Sequence, residues 1–334
     1  MRRVPDAGSQ RTDRAVAGWL LACTALVAAM VVVGGATRLT RSGLSIVEWR
    51  PLTGVVPPIG DADWAEQFAR YQASPEYRLV NQGMSLEQYR SIFYVEWAHR
   101  LLGRVTALAV LLPLAWFAWT GRLATSTARA GSVAGALVLV QGAAGWLMVK
   151  SGLVDAPHVS HLRLALHLAL ALVLFALLLD AALGALGVAR GPGLPPARAV
   201  ASISAVLVTA TWGALVAGLH GGLACATFPT MNGAWVPWPL GSPVSDGFTA
   251  QLVHRALALT TLLVAVGAAL RAARAGAWQR RVARSLVVVV GLQGALGALV
   301  VTSHVPVALA AAHQATALVV LAFAVALARV GRAS

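Results

Sequence analysis

Two pairs of histidines occur in matching sequence contexts. The first member of each pair, His99 or His254, is followed by arginine and preceded three positions earlier by Glu96 or Gln251. The second members lie in alanine-rich apolar segments, and the full set is His99 and His167 in the first half and His254 and His313 in the second. Two histidines that face each other inside a helix bundle can coordinate a haem iron axially. The pattern therefore predicts a duplicated four-helix unit with two imidazole ligands in each copy.

A buried, hydrogen-bonded side chain is the ordinary alternative for any one of these histidines, but four in repeated contexts favour ligation. Zinc is a weaker alternative, because no carboxylate or thiolate completes a tetrahedral set around either pair. Nonpolar surroundings favour neutral imidazole, the form that coordinates a metal. The remaining histidines lie at water-accessible helix ends and are not predicted to be ligands: His158, His161, His220 and His304.

Glu96 distinguishes the two repeats. It precedes His99 by one helical turn, at i and i+3, and so shares its face. An ionisable group inside a membrane segment is a functional candidate, whereas the amide at Gln251 cannot take up or release a proton. We therefore expect the chemistry in the first half. The alternative is that Glu96 only orients a ring N–H of a ligand histidine.

Several arginines flank the histidines and could bind anionic groups such as haem propionates. Arginine pairs with carboxylates through two parallel hydrogen bonds. The alternative is that these side chains extend to the lipid headgroups. The candidates are Arg38, Arg100, Arg104, Arg163 and Arg255.

The segments between the paired histidines contain glycines that share one helix face, Gly142 with Gly145 and Gly294 with Gly297. Glycine weakens a helix, so the pattern needs a reason. Close helix packing is one reason, and a flat macrocycle against the bare face is another. Trp235-Val236-Pro237-Trp238 poses a similar choice between an interfacial aromatic belt and a cap over a prosthetic group.

The composition predicts the fold class. Of the 334 residues, 58% are hydrophobic and 11% are charged, against about 25% charged in soluble domains. Apolar segments long enough to cross a hydrocarbon core of about 30 Å occur near residues 16–37, 93–119, 130–149, 160–186, 199–220, 249–270, 283–302 and 306–328. We predict an all-α integral membrane protein with eight transmembrane helices in two pseudo-symmetric four-helix bundles, residues 1–190 and 191–334. The long loop 38–92 should contain a short amphipathic helix at 64–71, and 191–196 should link the halves.

The net charge of +14 comes from arginines concentrated at both termini and in alternate loops. This asymmetry predicts cytoplasmic termini in a multi-pass inner-membrane protein, and nucleic-acid binding is the weaker interpretation. The chain has two cysteines, Cys23 and Cys225, and no Cys-x-x-Cys-His attachment motif, so any haem would be bound non-covalently.

Several further motifs accompany the histidines: Gly34-Gly35-Ala36-Thr37-Arg38, Asn81-Gln82-Gly83-Met84, Glu96 to Arg104, Gly145 to Leu153 and Thr227 to Met231. With these motifs, the chain from about residue 30 to 325 resembles the heme A synthase family in its proteobacterial and mitochondrial form. The resemblance implies oxidation of the C8 methyl group of haem O to a formyl group, which gives haem A for cytochrome oxidases. It implies that His99 and His167 hold the substrate haem, that His254 and His313 hold haem b, and that Glu96 is needed for activity.

The expected partners are haem O, a haem O synthase, membrane lipid and an unidentified electron donor or acceptor; a homo-oligomer is also left open. Some family members carry a cysteine pair in an outward loop, but residues 38–92 contain no cysteine. Two alternatives remain at this point. One is a dihaem b electron-transfer protein of the quinol-oxidising kind, and the other is a haem carrier.

Overall fold

The computed structural model describes residues 13–50, 53–154, 156–188, 196–273 and 276–330. Over these ranges the regular structure is helical, apart from one isolated bridge between Met231 and Ala234. The α-helices are α1 (Arg14–Leu39), α2 (Asp61–Gln72), α3 (Pro75–Leu79), α4 (Leu86–Trp119), α5 (Thr125–Ser151), α6 (His161–Ala185), α7 (Pro196–Gly218), α8 (Gly247–Ala272), α9 (Ala277–Thr302) and α10 (Val307–Val330).

Eight of these helices, all except α2 and α3, are long and apolar enough to cross a membrane. The predicted all-helical membrane fold is therefore confirmed. The largest difference is in α4, which starts at Leu86 rather than at residue 93. Ser85 and Gln88 form a capping box there, with each side chain hydrogen-bonded to the other's backbone N–H. Because this extra length is polar, hydropathy alone did not reveal it.

The long helices of each half contact one another in a ring. In the first half, α1 and α5 each contact both α4 and α6; in the second, α7 and α9 each contact both α8 and α10. Contacts of α6 with α7 and of α1 with α10 join the two rings around one hydrophobic core. The expected boundary after residue 190 and most of the linker at 191–196 lie outside the described residues.

The amphipathic helix expected at residues 64–71 is present as α2. Its buried residues, Trp64 and Tyr71, pack against Tyr89 and Phe93 of α4. These four aromatic side chains form a small second core, which fixes the segment between α1 and α4 over one end of the first ring.

Polar contacts also join the halves, among them one towards each end of α10. The Gln314 amide on α10 donates to the carbonyl of Val31 on α1 at 2.7 Å, in the space left by Gly35. At the opposite end, Arg329 on α10 forms an ion pair of 2.8 Å with Asp180 on α6. The halves are therefore held together by specific side chains as well as by apolar packing.

Candidate functional site

One large cavity of about 1930 Å³ contains all four predicted ligands in its wall: His99, His167, His254 and His313. Pockets for a single drug-sized ligand are typically about 300–1,000 Å³. The cavity can therefore accept more than one large ligand. Its wall is mostly apolar and is contributed by helices of both halves.

Each of the four histidine rings packs against a glycine on a neighbouring helix. A Cβ atom at Gly34 would lie 3.1 Å from Nε2 of His99, and one at Gly145 would lie 3.0 Å from Cε1 of His167. In the second half, a Cβ atom at Gly213 would lie 3.0 Å from Cε1 of His254, and one at Gly297 would lie 2.9 Å from Cε1 of His313. A side chain at any of these four positions would force the neighbouring ring to shift.

These contacts resolve part of the choice posed by the glycine pattern. Gly145 and Gly297 give room for imidazole rings, whereas Gly142 and Gly294 face open space in the cavity wall. The first two therefore serve close packing. The bare surface at the other two remains available to a flat ligand.

Gln141 and Gln293 lie one turn before Gly145 and Gly297. Each glutamine also contacts the histidine that packs against that glycine. The Gln141 amide donates to the carbonyl of His167 at 3.0 Å, and the Gln293 amide donates to that of His313 at 2.9 Å. The same amide nitrogens lie 3.3 and 3.4 Å from the ring Nε2 atoms. Sequence reasoning assigned no role to these glutamines, although Gln-x-x-x-Gly at i and i+4 in both repeats was the available signal.

The centroid separation of the second histidine pair is compatible with two imidazoles that would hold one metal ion between them. The ring centroids of His254 and His313 are 6.5 Å apart and their planes are inclined at 79°. Two metal–imidazole bonds of about 2 Å each, together with the distance from each ring centre to its nitrogen, give roughly 6.5 Å. The Nδ1 atoms of His167, His254 and His313 are buried without a hydrogen-bond partner. Unsatisfied buried nitrogens beside a large cavity are what a ligand-binding site would leave.

Glu96 is 2% exposed and lies in the wall of the same cavity. One carboxylate oxygen accepts from the Ser45 hydroxyl at 2.7 Å and from the Ile46 amide at 2.8 Å. The other accepts from Nε and Nη2 of Arg100 at 3.0 and 2.6 Å. Four donors to two oxygens are the complement of an ionised carboxylate, which only accepts hydrogen bonds.

Gln251 occupies the corresponding position in the second half, and it too is 2% exposed. Its amide oxygen accepts from Arg255 at 3.1 Å, which repeats the contact of Glu96 with Arg100. Its amide nitrogen, however, donates to the carbonyl of Cys225 at 3.0 Å. The loop beside Glu96 thus supplies two hydrogen-bond donors, from Ser45 and Ile46. The loop beside Gln251 supplies a hydrogen-bond acceptor, the carbonyl of Cys225. Glutamate suits the first environment, and glutamine suits the second.

The five candidate arginines separate into three groups. Arg100 and Arg255 line the cavity, and their guanidinium groups donate to Glu96 or Gln251 and to loop carbonyls. Arg38 and Arg104 also line the cavity, and Arg104 donates to the carbonyl of Arg50 at 2.8 Å. Arg163 is exposed, is not part of the cavity wall and donates to the carbonyl of Leu147 at 2.6 Å.

Arg38 differs from the others because its half-buried guanidinium has no hydrogen bond or ion pair within the described part of the chain.

His158, His220 and His304 are exposed where they border the cavity, in line with their expected contact with water. Trp235 also borders it but is 73% exposed, and Trp238 is 82% exposed. Exposure of this extent favours the aromatic belt over a buried cap.

Comparison with known proteins identifies the family. The family model for cytochrome oxidase assembly proteins matches residues 17–325. A heme A synthase of Rhodopseudomonas palustris is 45% identical over 95% of this chain and 91% of that protein. Those of Rhodospirillum centenum and a Methylobacterium are each 43% identical, over 94% and 98% of this chain and 88% and 94% of the respective proteins. Matches of this identity and coverage, on a fold with four cavity-lining histidines, mean that the chain belongs to the heme A synthase family of cytochrome oxidase assembly proteins.

Proposed function

We propose that this protein oxidises the C8 methyl group of haem O to a formyl group and so produces haem A. The observation that carries the proposal is the difference between the two repeats. Both have a histidine pair and an arginine at the same position, but only the first has a carboxylate beside its histidine. An electron-transfer protein or a haem carrier would not need this charge in one half alone.

His99 and His167 are the residues that would hold the iron of the substrate haem. Both rings line the cavity that contains Glu96. Gly34, Gly145 and Gln141 fix the two rings before substrate arrives. A fixed ligand pair orients the macrocycle and limits which of its edges can approach the carboxylate.

Glu96 stabilises positive charge that develops at the methyl carbon during oxidation. Its donors hold it as an anion in a water-poor wall, where a fixed charge acts more strongly than in water. Proton uptake by Glu96 would require one of the four hydrogen bonds to break. Charge stabilisation is therefore favoured over proton abstraction by this residue.

His254 and His313 are the residues that would hold haem b. When bound, haem b supplies a one-electron acceptor between the substrate and an external electron acceptor. Gly213, Gly297 and Gln293 fix these two rings, and the apolar wall excludes water from them. Gln251 carries no charge, so this half provides no counterpart of Glu96.

Arg38 is the strongest candidate to bind a propionate, because its guanidinium lines the cavity and is not committed to another group of the described chain. Arg104 and Arg255 are further candidates on the cavity wall. In the arrangement seen here, Arg100 forms an ion pair with Glu96 instead, and Arg163 lies away from the cavity.

We place the chain in the inner membrane with both termini in the cytoplasm, from the arginine distribution.

Extraction and chromatography of the haems bound to the purified protein, expressed beside a haem O synthase, test the proposal. We expect haem A and its hydroxylated precursor together with haem b. Haem b alone, with haem O unchanged, would instead support the electron-transfer alternative, and reversible exchange of unaltered haem O would support a carrier.

The Glu96→Gln variant tests the proposed role of the carboxylate. Loss of an oriented charged group at a reacting centre typically lowers kcat by about 10²–10³-fold, so we expect haem O to accumulate. Glu87→Gln is the matched control, since Glu87 is exposed in the first turn of the same helix. Haem A production at the wild-type rate by Glu96→Gln would contradict the assignment.

A further inference from the structure

A second carboxyl group, that of Glu76, lies in the wall of the same cavity. Glu76 is on α3, in the segment between α1 and α4, and it is only 5% exposed. The sequence places it among several loop acids that are solvated, and nothing in its spacing marks it as different. It lies where α3 packs on α2, which in turn packs on α4.

The hydrogen bonds around Glu76 have a defined direction. The Asn81 amide donates to the hydroxyl oxygen of Tyr71 at 2.7 Å, so the Tyr71 proton is free to point elsewhere. The Tyr71 hydroxyl lies 3.1 Å from Oε2 of Glu76 and donates to it. The other side-chain oxygen of Glu76 has no hydrogen bond from the described residues and is the atom that can take up a proton.

The two buried carboxyl groups are therefore unlike. Glu96 receives four hydrogen bonds, two of them from a guanidinium. Glu76 receives one, from a neutral phenol. A proton that enters a cavity between two carboxylates binds the one whose charge is less well compensated.

The groups that face Glu76 set its proton affinity near neutrality. Burial raises the pKa of Glu76 to about 7, the hydrogen bond from Tyr71 opposes this rise, the negative charge of Glu96 on α4 adds to it, and Arg41 after α1 opposes it. A base is most effective when its pKa is close to the working pH.

We propose that Glu76 accepts the protons that are released in the cavity when the methyl group is oxidised. This inference rests on the proposed function and extends it to the fate of the proton. Each two-electron step converts one C–H bond and one water molecule into a C–OH group, two protons and two electrons, and the diol formed by the second step loses water to give the formyl group. The electrons leave one at a time through the one-electron acceptor of the proposed reaction to the external electron acceptor, and each proton in turn converts the Glu76 carboxylate into a carboxylic acid, which releases it to water before the next arrives.

Infrared difference spectroscopy of the full-length protein during a pH titration tests the proton-binding site without turnover. We expect a carboxylic acid C=O band that disappears as the pH rises through about 7, that is absent from Glu76→Gln and that persists in Glu87→Gln. Tyr71→Phe should move the midpoint upward, because the carboxylate loses its only donor. A band that still titrates in Glu76→Gln, or no such band in the wild type, would overturn the assignment.

The pH dependence of haem O consumption tests the role in the reaction. In the wild type, the rate should rise between about pH 6 and pH 8 as Glu76 becomes deprotonated. Glu76→Gln should lower kcat by about tenfold or more, flatten this rise and leave KM unchanged. If Glu76→Gln kept the wild-type profile while haem A was made, Glu76 alone would lose its role. If the wild type made no haem A, the proposed function itself would fail, and the role of Glu76 with it.

Discussion

Substitution of Gly297 by alanine should weaken haem b binding without unfolding the protein. The new Cβ atom would lie 2.9 Å from Cε1 of His313. Comfortable carbon–carbon contacts are about 3.5–4.0 Å, so the ring must retreat by roughly 0.6 Å or more. Metal–ligand bonds tolerate displacements of about 0.2 Å. The imidazole cannot satisfy both the methyl group and the iron.

The expected loss can be estimated from overpacking, which costs about 1–3 kcal/mol. If this cost falls on the bound state, haem b binds about 5- to 150-fold more weakly. The helix itself is not harmed, because alanine is favoured over glycine in helix interiors by about 1 kcal/mol. Haem affinity and fold stability should therefore change in opposite directions.

The assay is haem b titration of the purified protein, followed by absorption spectroscopy, with the thermal midpoint measured in parallel. Gly267→Ala is the matched control, since Gly267 lies within α8 outside the cavity wall, and a Cβ atom added there would meet no other atom within 4 Å. The control should keep wild-type haem affinity. Gly297→Ala with full haem b content and an unchanged low-spin spectrum would refute the reasoning, and so would equal loss in both variants.

Two further predictions concern stability. Asp180→Ala should lower the thermal midpoint more than Arg329→Ala, because Arg329 is 5% exposed and Asp180 is 37% exposed; an uncompensated buried charge costs more than one that water can reach. Equal effects would contradict this account. Asp246 caps α8, and the hydrogen bond from the Thr249 side chain lowers the pKa of Asp246. Its stabilisation is therefore present above the pKa of an unfolded aspartate and is lost as the pH falls. Asp246→Ala should cost about 1 kcal/mol at pH 7 and show a smaller loss of thermal stability in acid than the wild type.

The fold class could be predicted, and the four histidines could be selected as candidate ligands, because the sequence signals for both are local. A run of apolar residues identifies each long helix, and the matched contexts of His99 and His254 are visible within a few positions. The asymmetry between Glu96 and Gln251 was visible for the same reason. Each of these features is encoded in one continuous segment.

Features that depend on the register between helices could not be predicted in this way. Gly34 and Gly213 touch histidine rings on other helices, and no spacing within α1 or α7 indicates it. Glu76 is buried in an assembly in which α3 packs on α2 and α2 packs on α4, which no local spacing indicates. Arg100 was one of the candidates for a propionate, and its guanidinium donates to Glu96, a contact that the sequence analysis did not identify. The i, i+4 spacing of the two residues was the available clue.

The hydrogen bond from Gln314 to Val31 couples the two halves mechanically. Gln314 follows His313 directly, and its amide is bonded to Val31 on α1, one turn from the glycine that packs against His99. If binding of haem b to His313 shifts α10, the shift would therefore be transmitted through α1 to His99, a candidate ligand of the substrate haem. Such coupling is reciprocal by thermodynamic necessity. We expect occupancy of the second half to tighten retention of the substrate in the first, and arrival of the substrate to slow loss of haem b to the same thermodynamic extent.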